Sequence, residues 1–244
     1  MTILLLGASS ELGRAFIQEF ASQNTLLLTG RDCTRLEIIK REAEQAGAKE
    51  VRCFEHDLVS GSHALLEAFQ GQRIDLLINL ASATSNLSDP AIEPEQIEAY
   101  TRTDLLTPVE LVMALLQAQP SAYNSDKPLR IMFISSVLAM LHSPDRDIYA
   151  AYKRLQAAFL QRIAALHPEQ VRFTIITIGT RLPRRECTRH HRNIARKAAR
   201  LYLTHDTIFY GFQGRMLLLL NQICPWLISG MISLSRRSPK NRVF

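Results

Sequence analysis

The chain has 244 residues with 47% apolar and 21% charged side chains, enough for a sizeable core and sized for one α/β domain. Its net charge of +6 is unevenly placed: residues 1–180 carry 16 Lys/Arg against 21 Asp/Glu, a net of −5, whereas residues 181–244 carry 13 against 2, a net of +11. Four scattered cysteines and seven histidines without ligand spacing predict reduced thiols and no metal, no nucleic-acid module surrounds the basic charge, and the absence of a cationic apolar leader predicts a cytoplasmic protein.

Thr2 to Leu6 is a continuous apolar run of the kind buried on both faces of a parallel sheet. It empties into Gly7-Ala8-Ser9-Ser10-Glu11-Leu12-Gly13, followed by a helical pattern through Phe20. A strand, a small-residue turn and a helix start make a phosphate site, because unpaired N–H groups and the helix dipole face the anion. Further strands are predicted at Thr25–Thr29, Val51–His56, Ile74–Asn79, from Leu129, at Val171–Ile178 and at Thr207–Tyr210. Helices are predicted over 34–46, 61–70 and 93–118, and from Tyr149 to Leu166. This alternation predicts a Rossmann-like, doubly wound parallel sheet in a single domain over 1–211.

Leu129 to Lys153 organises the rest, since a buried strand, a loop and a helix start bring Ser136, Tyr149 and Lys153 together. Tyr149 and Lys153 are four apart, so they share one helix face about 6 Å apart along the axis. A fixed positive charge favours the phenolate of a tyrosine and moves its pKa, roughly 10 when free, towards neutrality. A serine hydroxyl can hold the reacting oxygen while the phenol gives or takes the proton.

The Ser, thirteen residues before Tyr-x-x-x-Lys, together with the glycine turn, resembles the short-chain dehydrogenases/reductases over roughly residues 1–180. The resemblance implies catalytic roles for Ser136, Tyr149 and Lys153, and for Asp104, which stands where the family carries an Asn of its proton relay. The family's glycine pattern is met at Gly7 and Gly13 and broken by Glu11, with Ser9, Ser10 and Leu12 completing the implied cofactor turn. Asp57 and Leu58 fall beside the adenine, and Asn79 and Ala81 match an Asn-Asn-Ala-Gly pattern in which Leu80 and Ser82 depart. Asn79 also reads as a plain strand-end turn residue. Gly179 falls in the loop that covers the nicotinamide, whose ribose Lys153 would bind and whose reaction Tyr149 would serve. Gly30 and Arg31 stand where NAD-preferring members place an acid, which implies NADP, with Asp32 nearby keeping NAD open.

The segment 181–200 carries eight Lys/Arg against Glu186 alone. The family's lid lies here, implying an anionic substrate or surface; a solvated basic helix is the alternative. Residues 212–244 contain the apolar run Met216–Ser235, broken by Asn221, Gln222 and Pro225 and followed by Arg236, Arg237, Lys240 and Arg242. A polar pair and a proline at mid-depth argue against a simple span and favour an apolar helix lying in a membrane interface, peripheral on its inner face. Subunit packing in a homo-oligomer is the competing reading. The acidic residue in the glycine loop and the Trp/Pro-containing ending resemble the decaprenylphosphoryl-pentofuranosid-2-ulose reductase subgroup, which implies a lipid-linked keto-sugar as carbonyl substrate. The departures at Glu11, Ser82 and Asp104 keep a second possibility open, a cofactor-binding scaffold or sensor without turnover.

Overall fold

The computed structural model of the chain describes residues 1–83, 93–140, 148–179 and 187–211, together with the helical positions Met216, Leu219 and Ile223. Residues 181–186 of the basic segment and most of the C-terminal apolar stretch therefore lie outside the described residues. Seven strands, β1 (Thr2–Leu6), β2 (Thr25–Gly30), β3 (Glu50–Glu55), β4 (Leu76–Asn79), β5 (Leu129–Ser136), β6 (Val171–Ile178) and β7 (Thr207–Tyr210), form one sheet. Their spatial order is β3-β2-β1-β4-β5-β6-β7, and every pairing is parallel. This is the Rossmann-like α/β arrangement in a single domain.

Helices cover both faces, which is why the strands read as unbroken apolar runs. On one side lie α1 (Glu11–Phe20), α2 (Cys33–Gln45) and α7 (Cys187–Leu201), whose Phe16, Ile39 and Ile194 join a core with Ile3 and Leu5 of β1. On the other lie α3 (His63–Ala68), α5 (Thr107–Ala118) and α6 (Ile148–Leu166), whose Leu65, Leu111 and Leu160 pack with Leu4 and Leu6. Successive β1 side chains thus enter opposite cores, as the two-residue period of a strand requires.

The chain runs outward from β1 to β3 and then returns to start again at β4, so the order reverses between β1 and β4. At such a reversal the crossovers leave to opposite sides and open a crevice beyond the strand ends. Leu80 N–H donates to Leu6 O at 3.0 Å and Ala8 N–H to Thr29 O at 2.9 Å, which fixes the loops at that crevice.

Two elements differ from expectation. The helix expected over 61–70 is only His63–Ala68, because Gly61 (φ +84°) and Gly71 (φ +74°) turn the backbone out of helical geometry on either side. The helix expected over 93–118 is interrupted: α4 (Pro94–Thr101) passes into a π-helical turn at Arg102–Leu106 before α5. Thr107 N–H reaches back five residues to Arg102 O, and Pro108 has no N–H with which to restore the four-residue ladder. The widened turn buries Thr103, Asp104 and Leu105.

Candidate active site

The turn between β1 and α1 is built around Ser10. Its hydroxyl donates to Gly7 O and accepts from Gly13 N–H, both at 2.9 Å, and so caps the helix. Gly7 has φ +79°, and a Cβ there would lie 2.9 Å from Ala81 N. A Cβ on Gly13 would lie 2.5 Å from Ala8 O. The first glycine thus makes the tight turn and the last lets helix and strand approach, which are two of the three glycine roles in a dinucleotide site. The residues present fit such a cofactor, whose pyrophosphate would meet the helix N-terminus between Ser9 and Leu12.

Glu11 occupies the third glycine position. Its carboxylate turns away along the surface to Arg35 of α2, with Oε1 to Nη2 at 2.8 Å and about half of each side chain exposed. A second pair, Arg14 with Glu42, joins the same two helices. A Cβ on Gly30 would come within 2.9 Å of Ser9 Oγ, so the end of β2 abuts the turn. Arg31 is exposed there. Asp32 caps α2, its Oδ1 accepting from Arg35 N–H at 2.9 Å.

Of the other cofactor candidates, Asp57 caps a short 3-10 turn and accepts from Val59 N–H at 3.1 Å, while Leu58 is buried and its carbonyl accepts from Thr107 Oγ1 at 2.7 Å. Asn79 ends β4, nearly buried, with its side-chain oxygen accepting from Ala81 N–H at 3.1 Å. Gly179 N–H donates to Tyr210 O at 2.8 Å, tying the end of β6 to β7. All of these lie along the carboxyl edge of the sheet. The basic segment becomes α7 from Cys187 onward, and Ile194, Ala195 and Ala198 bury its apolar side in the core that holds α1.

Ser136 ends β5 half-buried, and Tyr149 stands in the first turn of α6. Lys153 follows one turn later, 3% exposed, with Nζ 5.7 Å from the Tyr149 ring centroid and 5.1 Å from that of Phe133. Asp104, fully buried on the π turn, brings Oδ1 to 4.0 Å from Lys153 Nζ and accepts from Ala83 N–H through Oδ2 at 3.0 Å. Burial pushes the Lys153 ammonium down to about 8, and the Asp104 carboxylate opposes that fall. The arrangement keeps a cation beside a phenol in a water-poor setting, which suits proton transfer near neutral pH.

Two partners escaped the sequence. Arg35 as the counter-ion of Glu11 was legible only as a charge complement at the starts of two neighbouring helices. Phe133, under Lys153, carries no signal separating it from other strand residues.

The short chain dehydrogenase family profile matches residues 1–185. No curated protein matches the chain in sequence. Among solved structures, a 7β-hydroxysteroid dehydrogenase superposes with a TM-score of 0.80 at 15% identity, covering 95% of this chain and 96% of that one. The bulky-bulky ketone specific alcohol dehydrogenase of Comamonas testosteroni gives 0.74 at 18%, covering 93% of each. A metagenomic short-chain oxidoreductase in complex with NADP gives 0.62 at 23%, covering 86% and 94%. At these identities the likeness speaks for the fold, whereas the profile covers more than half of the chain and speaks for the family. With the switch-point crevice, the capped glycine turn and the Ser, Tyr and Lys at one sheet edge, the chain belongs to the short-chain dehydrogenases/reductases and is an oxidoreductase of that family.

Proposed function

We propose that the protein is an NADPH-dependent carbonyl reductase in which Tyr149 gives a proton to the oxygen of a ketone. The observation that carries this reading is the buried Lys153 ammonium, 5.7 Å from the Tyr149 ring and held against Asp104. Bound NADPH would supply the hydride. Ser136 would hold the ketone oxygen by a hydrogen bond, Tyr149 would deliver the proton to it, and Lys153 would favour the departing proton by stabilising the phenolate and would bind the nicotinamide ribose. Asp104 would keep Lys153 charged. The preference for NADPH is supported by Gly30 and exposed Arg31 where an acid would bond a ribose 2′-hydroxyl, and by Asp32 being engaged in capping α2.

The test follows NADPH oxidation across a ketone panel that includes phosphorylated keto-sugars, alongside nicotinamide fluorescence for binding. Tyr149→Phe is expected to lower turnover about a hundredfold to ten-thousandfold while NADPH binding persists. A Tyr149→Phe protein with near-normal turnover refutes the assignment. A protein that binds the cofactor yet reduces no ketone supports the scaffold or sensor reading instead.

A lipid-linked keto-sugar substrate and contact with the inner face of a membrane are the finer parts of the proposal. Met216, Leu219 and Ile223 occupy helical positions three and four apart and are 46%, 59% and 75% exposed, which supports an apolar face at an interface. Among the described residues no helix is long and apolar enough to cross a membrane. Leu219→Glu with Ile223→Glu is expected to abolish co-sedimentation with anionic liposomes; unchanged recovery rejects membrane contact. Exposed Leu155 and Phe159, four apart on α6, support self-association as the competing use of apolar surface.

A further inference from the structure

We infer that Glu11 is an internal rival of the cofactor's 2′-phosphate for the Arg35 guanidinium, and thereby limits how strongly this chain prefers NADPH over NADH. The inference rests on the NADPH reading above and concerns a residue that stands where a dinucleotide turn ordinarily has glycine.

Three observations converge. Arg35 is fixed in the first turn of α2, since its backbone N–H is held by Asp32 Oδ1 at 2.9 Å. The end of β2 touches the cofactor turn, because a Cβ on Gly30 would meet Ser9 Oγ at 2.9 Å. Between them, Glu11 Oε1 holds Arg35 Nη2 at 2.8 Å. The ribose 2′-position of a dinucleotide falls at the end of the second strand, so Arg31 and Arg35 flank it on the α2 side and Glu11 on the α1 side.

A guanidinium prefers a doubly charged phosphate to a single carboxylate, and both can be met by the same fork of donors. When a 2′-phosphate enters, Arg35 exchanges or shares its partner. Glu11 then gives up its counter-ion in a half-exposed setting, a cost that solvent screens but does not abolish and that exists only while Arg35 is there to be shared. NADH brings no group to that place and leaves the pair intact. Glu11 therefore acts selectively on the phosphorylated cofactor.

The experiment is a fluorescence titration of the full chain with NADPH and with NADH, for wild type, Glu11→Gln, Arg35→Ala and the double variant, with thermal midpoints measured in parallel. Glu11→Gln is expected to tighten NADPH roughly threefold to fivefold and to leave NADH nearly unchanged, at low salt. Arg35→Ala is expected to weaken NADPH roughly tenfold, to spare NADH, and to erase most of the gain from Glu11→Gln in the double variant. Equal effects on both nucleotides, or a lowered thermal midpoint with no change in their ratio, would mean that the pair only braces α1 on α2, and the inference falls. Wild type that binds neither nucleotide, or NADH more tightly, overturns the NADPH reading itself and this inference with it.

Discussion

Glu11–Arg35 and Asp104–Lys153 are both opposite charges at the carboxyl edge of the same sheet, and they differ in the direction opposite to their distances. The first pair is the closer, at 2.8 Å, yet about half of each side chain meets water. The second is 4.0 Å apart and nearly excluded from solvent. Water screens the first so well that exposed pairs of this kind contribute about 0–1 kcal/mol. In the second, removing water from the ammonium is the larger effect, which is why Lys153 falls to about 8 despite its acidic neighbour. Separation alone is thus a poor guide to what a pair does; what surrounds it decides whether it adjusts recognition or holds a reactive group in a chosen charge state.

Removing one partner from each pair should separate the two most widely in stability. Asp104→Ala leaves the Lys153 cation buried without its acid and is expected to destabilise the fold by about 3–5 kcal/mol. Glu11→Ala should cost less than about 1 kcal/mol. Denaturant titration of both variants checks this, and equal losses would mean that burial does not separate the two pairs.

A smaller effect should appear in the pH dependence of stability. Lys153 binds its proton less tightly in the fold, at about 8, than in the unfolded chain, near 10.5. Between those values the unfolded chain carries more protons, so stability rises with pH there, and the cost of the buried charge is fully present below pH 8. Relative to Lys153→Met, the wild type should gain about 3 kcal/mol between pH 8 and pH 10.5. Urea midpoints across that range measure it, and parallel curves for the two proteins would reject a depressed Lys153.

The smallest shift lies in catalysis. Asp104 raises the Lys153 pKa, so Asp104→Asn should lower it further and move the alkaline limb of the pH–rate profile down by about one unit. Glu11→Gln should leave that limb in place, since its carboxylate is paired elsewhere.

Most of the fold was legible because buried parallel strands are continuous apolar runs: β6, β7 and the end of α6 fall at the expected residues. The π turn was not legible, because an i→i+5 bond leaves no periodic mark and a proline after a threonine also reads as an ordinary helix start. At the candidate site, Tyr149 and Lys153 were legible as neighbours on one helix face from their four-residue spacing, whereas Ser136 was singled out by the family pattern, since a loop separates β5 from α6. Glu11 declared itself as an anomaly in a glycine pattern, but its outward turn depends on Arg35, 24 residues away and on another helix. Pairings across elements of this kind follow from packing and have no local signature.

The central place of β1 bears on how the protein is made. This strand is made before every other strand of the sheet, yet its two neighbours are β2, beginning at Thr25, and β4, ending at Asn79. At roughly ten residues per second, its second edge stays without a partner for several seconds of translation. During that interval Ile3, Leu4, Leu5 and Leu6, all later buried to within 1% of complete, form an open apolar ribbon. A nascent chain stalled before residue 79 would therefore present the unpaired edge of an apolar strand to its neighbours.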